Sequence, residues 1–276
     1  MQNRRKTGGA GPSGSGPSGG GHRGCGRVIR PRIALQGLVV GRGAVAVAGP
    51  FDLAVASGEA LVVTGPNGAG KSTLLRTLAG LLPPISGGVR LEGLTAADGE
   101  AAARLADASH YVGHRHGMKA ALGVGENLAF WAGYLGAGPL RTGEAAEGAG
   151  PLAPAEALAA VGLPGLSDIP FAYLSAGQQR RASLARLLVA RRPVWILDEP
   201  TSALDLASQA LFAGLVAGHL ARGGIAIAAT HHPLGLEAAQ TLHITPPAGR
   251  DDGPGSNGPV APAIDDAALA EAEGWL

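Results

Sequence analysis

The sequence predicts an α/β fold with a mostly parallel sheet at its core, and three observations support this. Gly65-Pro66-Asn67-Gly68-Ala69-Gly70-Lys71-Ser72-Thr73 has the form G-x-x-x-x-G-K-[ST], a complete phosphate-binding loop. Val194-Trp195-Ile196-Leu197-Asp198-Glu199-Pro200 is a short apolar run ending in two carboxylates, as a central parallel strand does at its carboxyl end. Ile225 to Ala229 is a further apolar run of strand length.

The loop stands in the context its chemistry needs. Ala60-Leu61-Val62-Val63 before it predicts a buried strand. Ser72 to Leu82 after it predicts a helix with Leu74, Leu75, Leu78, Leu81 and Leu82 on one side. Glycines let backbone N–H groups close around phosphate oxygens, and the helix start adds a favourable dipole. Lys71 then reaches the β- and γ-phosphates of a nucleotide, and Ser72 ligates Mg²⁺. Asp198 is placed to hold the same ion through water, and Glu199 to polarise the water that attacks the γ-phosphate. An α/β phosphate-loop NTPase that binds a nucleotide with Mg²⁺ is the expected class.

Between these segments lies Leu174-Ser175-Ala176-Gly177-Gln178-Gln179-Arg180-Arg181. It resembles the L-S-G-G-Q signature of the ATP-binding cassette (ABC) superfamily, with Ala176 in place of the first glycine. Ser202-Ala203-Leu204-Asp205 is similar to that family's D-loop, and Thr230-His231 to its switch histidine. The resemblance runs from about residue 33 to 245. It implies nucleotide contacts from Ser175, Gly177, Gln178 and Asp205, and a catalytic role for His231 beside Glu199 and Lys71. It also implies a homodimer. In this family two cassettes face each other head to tail, each ATP lying between one phosphate loop and the other chain's signature.

Composition fits one large α/β domain. The chain has 276 residues, 46 glycines, 20 prolines and a net charge of +1, so no bulk attraction to nucleic acid is implied. Its single cysteine, Cys25, excludes a disulfide framework. No apolar stretch approaches the ~20 residues of a membrane-spanning helix, and no signal segment is visible. Residues 1–32 are rich in Gly, Ser and Pro and basic, while residues 246–276 are Pro/Gly-rich and acidic with a weak helical patch from Ile264 to Trp275. Both tails are expected to be disordered. The ATPase domain then spans 33–245. It has an antiparallel β entry region from Ile33 to Val63 with a returning strand at Gly87 to Gly93. A helical lobe at about 125–180 is broken by a loose loop from Gly136 to Pro154.

The modest lobe and the single cassette point to a transporter-type ATPase whose membrane part is a separate permease chain. Tyr111-Val112-Gly113-His114, then Gly117-Met118-Lys119, Glu126-Asn127-Leu128 and Thr230-His231-His232-Pro233-Leu234, resemble the ATP-binding subunits of haem exporters of cytochrome c maturation. That resemblance implies haem-handling partners, no nucleic acid, and a peripheral place on the cytoplasmic face of a bacterial inner membrane. His114 stands where most of the superfamily has the glutamine that senses Mg²⁺ and the membrane partner. Two departures are visible. Gly123 replaces a capping threonine, and no aromatic precedes the phosphate loop to stack on adenine, Arg42 or a neighbour taking its place. His110, His114 and His116 invite reading as a metal or haem site, but they fall in a loop after a strand, and no cysteine or carboxylate completes a set. Two other functions fit the same motifs, an ATPase for another solute and a soluble regulatory or nucleic-acid ABC ATPase.

Overall fold

The computed structural model describes residues 30–136, 150–230 and 239–245. Most of both tails, most of the 136–154 loop and the switch residue His231 with its neighbours His232 to Leu234 lie outside the described residues. Two sheets and a helical lobe make up the rest. β1 (Arg32–Arg42) and β2 (Val45–Ala56) form a long antiparallel pair, with Ile33 opposite Val55 and Leu35 opposite Leu53. β3 (Ala60–Thr64) leads through the phosphate loop into α1 (Lys71–Leu78), and β4 (Ser86–Glu92) returns to pair with β1.

α1 is shorter than the leucine spacing predicts. Leu74, Leu75 and Leu78 are fully buried, and truncating any one to alanine costs about 3 kcal/mol by the cavity it leaves. Ala79 ends the helix, and Gly80 at φ +76° turns the chain out of it. Leu81 is therefore 43% exposed, although its spacing matches the helix period.

The second sheet is parallel, in the order β5-β6-β7-β3-β8, built from β5 (Ser109–Val112), β6 (Val194–Asp198), β7 (Ile225–Ala229), β3 and β8 (Gln240–His243). Every residue of β6 and β7 is buried, as expected for parallel strands covered on both faces. Alternation divides them between two cores. Val194, Ile196, Ile225 and Ile227 join α1 and the antiparallel sheet, whereas Trp195, Leu197, Ala226 and Ala228 join α5 (Leu206–Ala221) on the opposite face.

The lobe consists of α2 (Val124–Tyr134), α3 (Pro154–Ala160) and part of α4 (Ala176–Val189), closed over Leu128, Leu158, Leu163 and Phe171. α4 is shared. Ala182, Ala185 and Val189 pack into the lobe, while Leu184 and Leu187 pack against the parallel sheet. At Gly123, the main-chain N–H donates to Glu126 Oε2 at 2.8 Å, so the first turn of α2 is held without a threonine side chain.

Candidate nucleotide site

Parallel strands point one way, so the carboxyl ends of β3, β5, β6 and β7 meet at one edge of the sheet. The phosphate loop rises from β3 with Gly65, Gly68 and Gly70 at φ +139°, +78° and +106°. These are backbone conformations that turn successive N–H groups inward and that only glycine adopts without strain. A side chain at Gly65 would strike the carbonyl of Ile244. Gly70 caps α1 with no side-chain hydrogen bond, which leaves the first-turn N–H groups facing the cleft.

That cleft has a volume of about 380 Å³. Asn67, Gly68, Gly70, Lys71, Ser72 and Thr73 line its floor, and His114 and Glu199 stand on one wall. Arg42 and Val47 line the cleft as well. Gly65, Pro66 and Ala69 shape the loop from beneath, with Ala69 N–H donating to Pro66 O at 3.3 Å. Lys71 Nζ donates to Gly65 O and Pro66 O at 2.8 and 3.1 Å. The ammonium thus sits at the centre of the loop it serves.

Asp198 organises the wall. Its side chain is 1% exposed, and Oδ1 accepts from Ser72 Oγ at 3.0 Å. Oδ2 accepts from Tyr111 O–H at 3.5 Å and lies 3.8 Å from His114 Nε2. Burial and the Asp198 charge push the Tyr111 phenol up to about 12, so it is a neutral donor. A serine hydroxyl and a carboxylate held 3.0 Å apart are hard oxygen donors. They suit Mg²⁺, which takes few protein ligands and completes its shell with phosphate oxygens and water. No group of three or more metal-ligating side chains occurs among the described residues.

Glu199 follows Asp198 at φ +48°, and Ala203 lies at +61°. These are the non-glycine residues with positive φ among the described ones. Arg180 braces this segment. It is 2% exposed, and its guanidinium donates to Gly113 O (2.7 Å), Asp198 O (3.0 Å), Glu199 O (2.5 Å) and Pro200 O (3.1 Å). Burial lowers its basicity, and the negative charges of Asp198 and Glu199 counter this only in part. Sequence reading gave neither Arg180 nor Tyr111 a role. Only their presence inside named motifs hinted at one.

The signature residues stand apart from this cleft. Ser175 is the exposed N-cap of α4, its Oγ accepting from Gln178 N–H at 3.3 Å while Gln178 Oε1 accepts from Ser175 N–H at 2.9 Å. Asp205 caps α5 through Ser208 N–H at 2.7 Å, a bond that holds its carboxyl below the usual carboxylate range. Neither these residues nor Gly177 line the cleft of their own chain. The three histidines also diverge. His110 belongs to β5 rather than to a loop, buried with its ring N–H on Ala190 O at 2.6 Å. His116 packs edge-on against Phe171, and only His114 faces the cleft.

Sequence comparison adds the lineage. Residues 49–202 match the ABC transporter family model. A cytochrome c biogenesis ATP-binding export protein of Rhizobium meliloti is 53% identical over 215 residues, covering 78% of this chain and 98% of that one. Its counterpart in Agrobacterium fabrum is 56% identical over 192 residues, covering 69% and 84%. The chain belongs to the ABC transporter family, among the cytochrome c biogenesis ATP-binding export proteins. An ATP-bound bacterial Atm1-family ABC exporter shares the fold, with a TM-score of 0.60 at 23% identity, over 79% of this chain and 38% of that one. Membership in the ABC transporter family accounts for the order of phosphate loop, signature and paired acids along the chain.

Proposed function

We propose that this chain is the ATP-hydrolysing subunit of a transporter complex that powers haem export, or haem handover to a chaperone, for c-type cytochrome assembly. The Ser72–Asp198 hydrogen bond carries the reading, because it brings a phosphate-loop hydroxyl and a strand-end carboxylate together beside Lys71 and Glu199. The named relatives, which are cytochrome c biogenesis export proteins, support the process.

In this reading residues 33–245 form the ATPase domain, flanked by the two tails. The loop N–H groups and Lys71 bind the triphosphate, and Arg42 stacks on the base. Ser72 and Asp198 hold Mg²⁺, which neutralises charge on the β- and γ-phosphates. Glu199 accepts the proton of the attacking water, with His231 beside the γ-phosphate, while His114 links the site to the membrane partner. Ser175, Gly177, Gln178 and Asp205 complete the nucleotide site of the opposite chain, because they lie outside the cleft of their own. Two copies therefore work as a homodimer on separate transmembrane permease subunits, at the cytoplasmic face of the bacterial inner membrane. No helix among the described residues is long and apolar enough to cross a membrane.

Glu199→Gln tests both levels. Loss of the general base is expected to lower steady-state ATPase activity by about 10²–10⁴-fold while nucleotide binding is kept. Cells carrying only that variant should accumulate no mature c-type cytochrome. Hydrolysis within a factor of two of wild type removes Glu199 from the chemistry. Normal cytochrome with hydrolysis abolished removes the export role.

A further inference from the structure

α4 touches the catalytic segment of its own chain at two places. Gly177 lies so close to the loop after Glu199 that a side chain there would approach Ala203 O to 3.1 Å. Arg180, one turn further on, bonds the carbonyls of Gly113, Asp198, Glu199 and Pro200. Those acceptors come from the turn that carries His114 and from the end of β6. The segment they brace holds the left-handed residues Glu199 and Ala203, a backbone state that persists in non-glycine residues only where its surroundings impose it. Ser175 caps the same helix, five residues back, or about 7.5 Å along its axis at 1.5 Å per residue. A rigid lever therefore runs from the signature serine to the backbone that aims the general base.

We propose that Arg180 is a positioning residue that couples the two ATP sites of the dimer. Ser175 serves the nucleotide held by the opposite chain, whereas Asp198 and Glu199 serve the nucleotide of their own. With Arg180 in place, these groups move as one body. Docking of a γ-phosphate on Ser175 then favours the hydrolytic pose of Glu199 in the other site. Coupling of this kind is reciprocal, and its usual size is 5–150-fold in affinity. Arginine suits the task because five N–H donors in one plane reach carbonyls on both sides of the head group. Lysine gathers three donors on one atom and cannot span them. The inference rests on the dimeric reading given above.

The test uses the full chain, with Arg180→Gln and Arg180→Lys made separately. ATPase rate is measured against ATP concentration, and nucleotide affinity by calorimetry. For two coupled sites the wild-type Hill coefficient lies above 1 and at most about 2. Arg180→Gln should bring it to about 1 and lower the maximal rate about tenfold, with the affinity for the first nucleotide bound within about twofold of wild type. Arg180→Lys should recover part of the rate but not the cooperativity. A purely local brace on Glu199 would lower the rate and leave the Hill coefficient unchanged, which overturns the proposal. So does a wild type with a coefficient of 1. If Arg180→Gln does not fold, Arg180→Lys is judged by the same coefficient. Gel filtration of the Glu199→Gln chain with ATP separates the two levels of inference. A monomer there overturns the dimer and the coupling together, whereas a dimer with unaltered cooperativity in the Arg180 variants overturns the coupling alone.

Discussion

Acidification from pH 8 to pH 5 should destabilise this domain by about 4 kcal/mol through two buried histidines. His110 lies in β5, 2% exposed, and burial lowers its pKa to about 3. His219 lies in α5, 8% exposed and stacked on Trp195 with centroids 3.9 Å apart, and burial lowers it to about 4. Each offers a ring nitrogen to a carbonyl, of Ala190 and Ile225 respectively, a bond the neutral imidazole already makes. Protonation therefore adds charge to a buried ring whose hydrogen bond is already made. In the unfolded chain both titrate near 6.5, so below that pH the unfolded state binds more protons. Stability is then complete above pH 6.5 and falls as the pH drops toward the folded values. Integrating between the two pKa values at pH 5 gives about 2 kcal/mol for each residue. That is a large share of a typical 5–15 kcal/mol.

The assay is urea unfolding of the full chain at pH 8, 6.5 and 5, with His219→Gln alongside. Glutamine can still donate to Ile225 O but cannot be protonated, so the loss between pH 8 and 5 should shrink by about 2 kcal/mol. His116, also lowered by burial, adds to the loss with the same sign. An acid loss below about 1 kcal/mol at constant m-value would refute the argument. So would an identical loss in wild type and variant.

Two further outcomes test the site. Mixing inactive Ser175→Arg chains with inactive Lys71→Ala chains should restore part of the ATPase activity, since one of the two composite sites is then whole; rates strictly linear in enzyme concentration to the highest dilution would indicate a competent monomer instead. His114, 54% exposed at its side chain and 3.8 Å from Asp198, should act in coupling more than in chemistry. His114→Ala is expected to keep hydrolysis in the purified complex while mature c-type cytochrome is lost from cells, whereas His114→Gln should be tolerated in both assays; equal loss of both activities in the alanine variant would make the residue catalytic or structural.

What could be read from the sequence was local. β3, β6 and β7 are continuous apolar runs because both of their faces are covered, so each was visible within five residues. The cradle was equally plain, since its glycines, lysine and serine are contiguous. The end of α1 was not. Leu81 and Leu82 prolong the helical spacing, but Gly80 turns the chain before them, and spacing alone cannot weigh one left-handed residue against two leucines. His110 was hidden for a similar reason. A histidine reads as polar, yet this one satisfies its ring on a carbonyl 80 residues away and is buried in a strand. Arg180 draws its acceptors from positions 18 to 67 residues distant, and no pattern along the chain records such a contact.

Asp198 shows why contacts of this kind decide how variants are interpreted. Its Oδ1 accepts from Ser72, its Oδ2 faces Tyr111 and His114, and its carbonyl accepts from Arg180. One buried residue therefore joins the phosphate loop, the turn that carries His114 and the signature helix. Replacing it would remove a carboxylate suited to Mg²⁺ and at the same time take away the acceptor of the half-buried hydroxyls of Tyr111 on β5 and Ser72 on α1. A dead Asp198 variant thus cannot separate lost Mg²⁺ from a disordered wall. Ser72 lies in the cleft on α1 and touches Asp198 by a single hydroxyl, away from the carbonyls that Arg180 holds. Loss of that hydroxyl tests the proposed metal contact, and the Arg180 variants test the brace. The two functions that meet at Asp198 can be taken apart only from its neighbours.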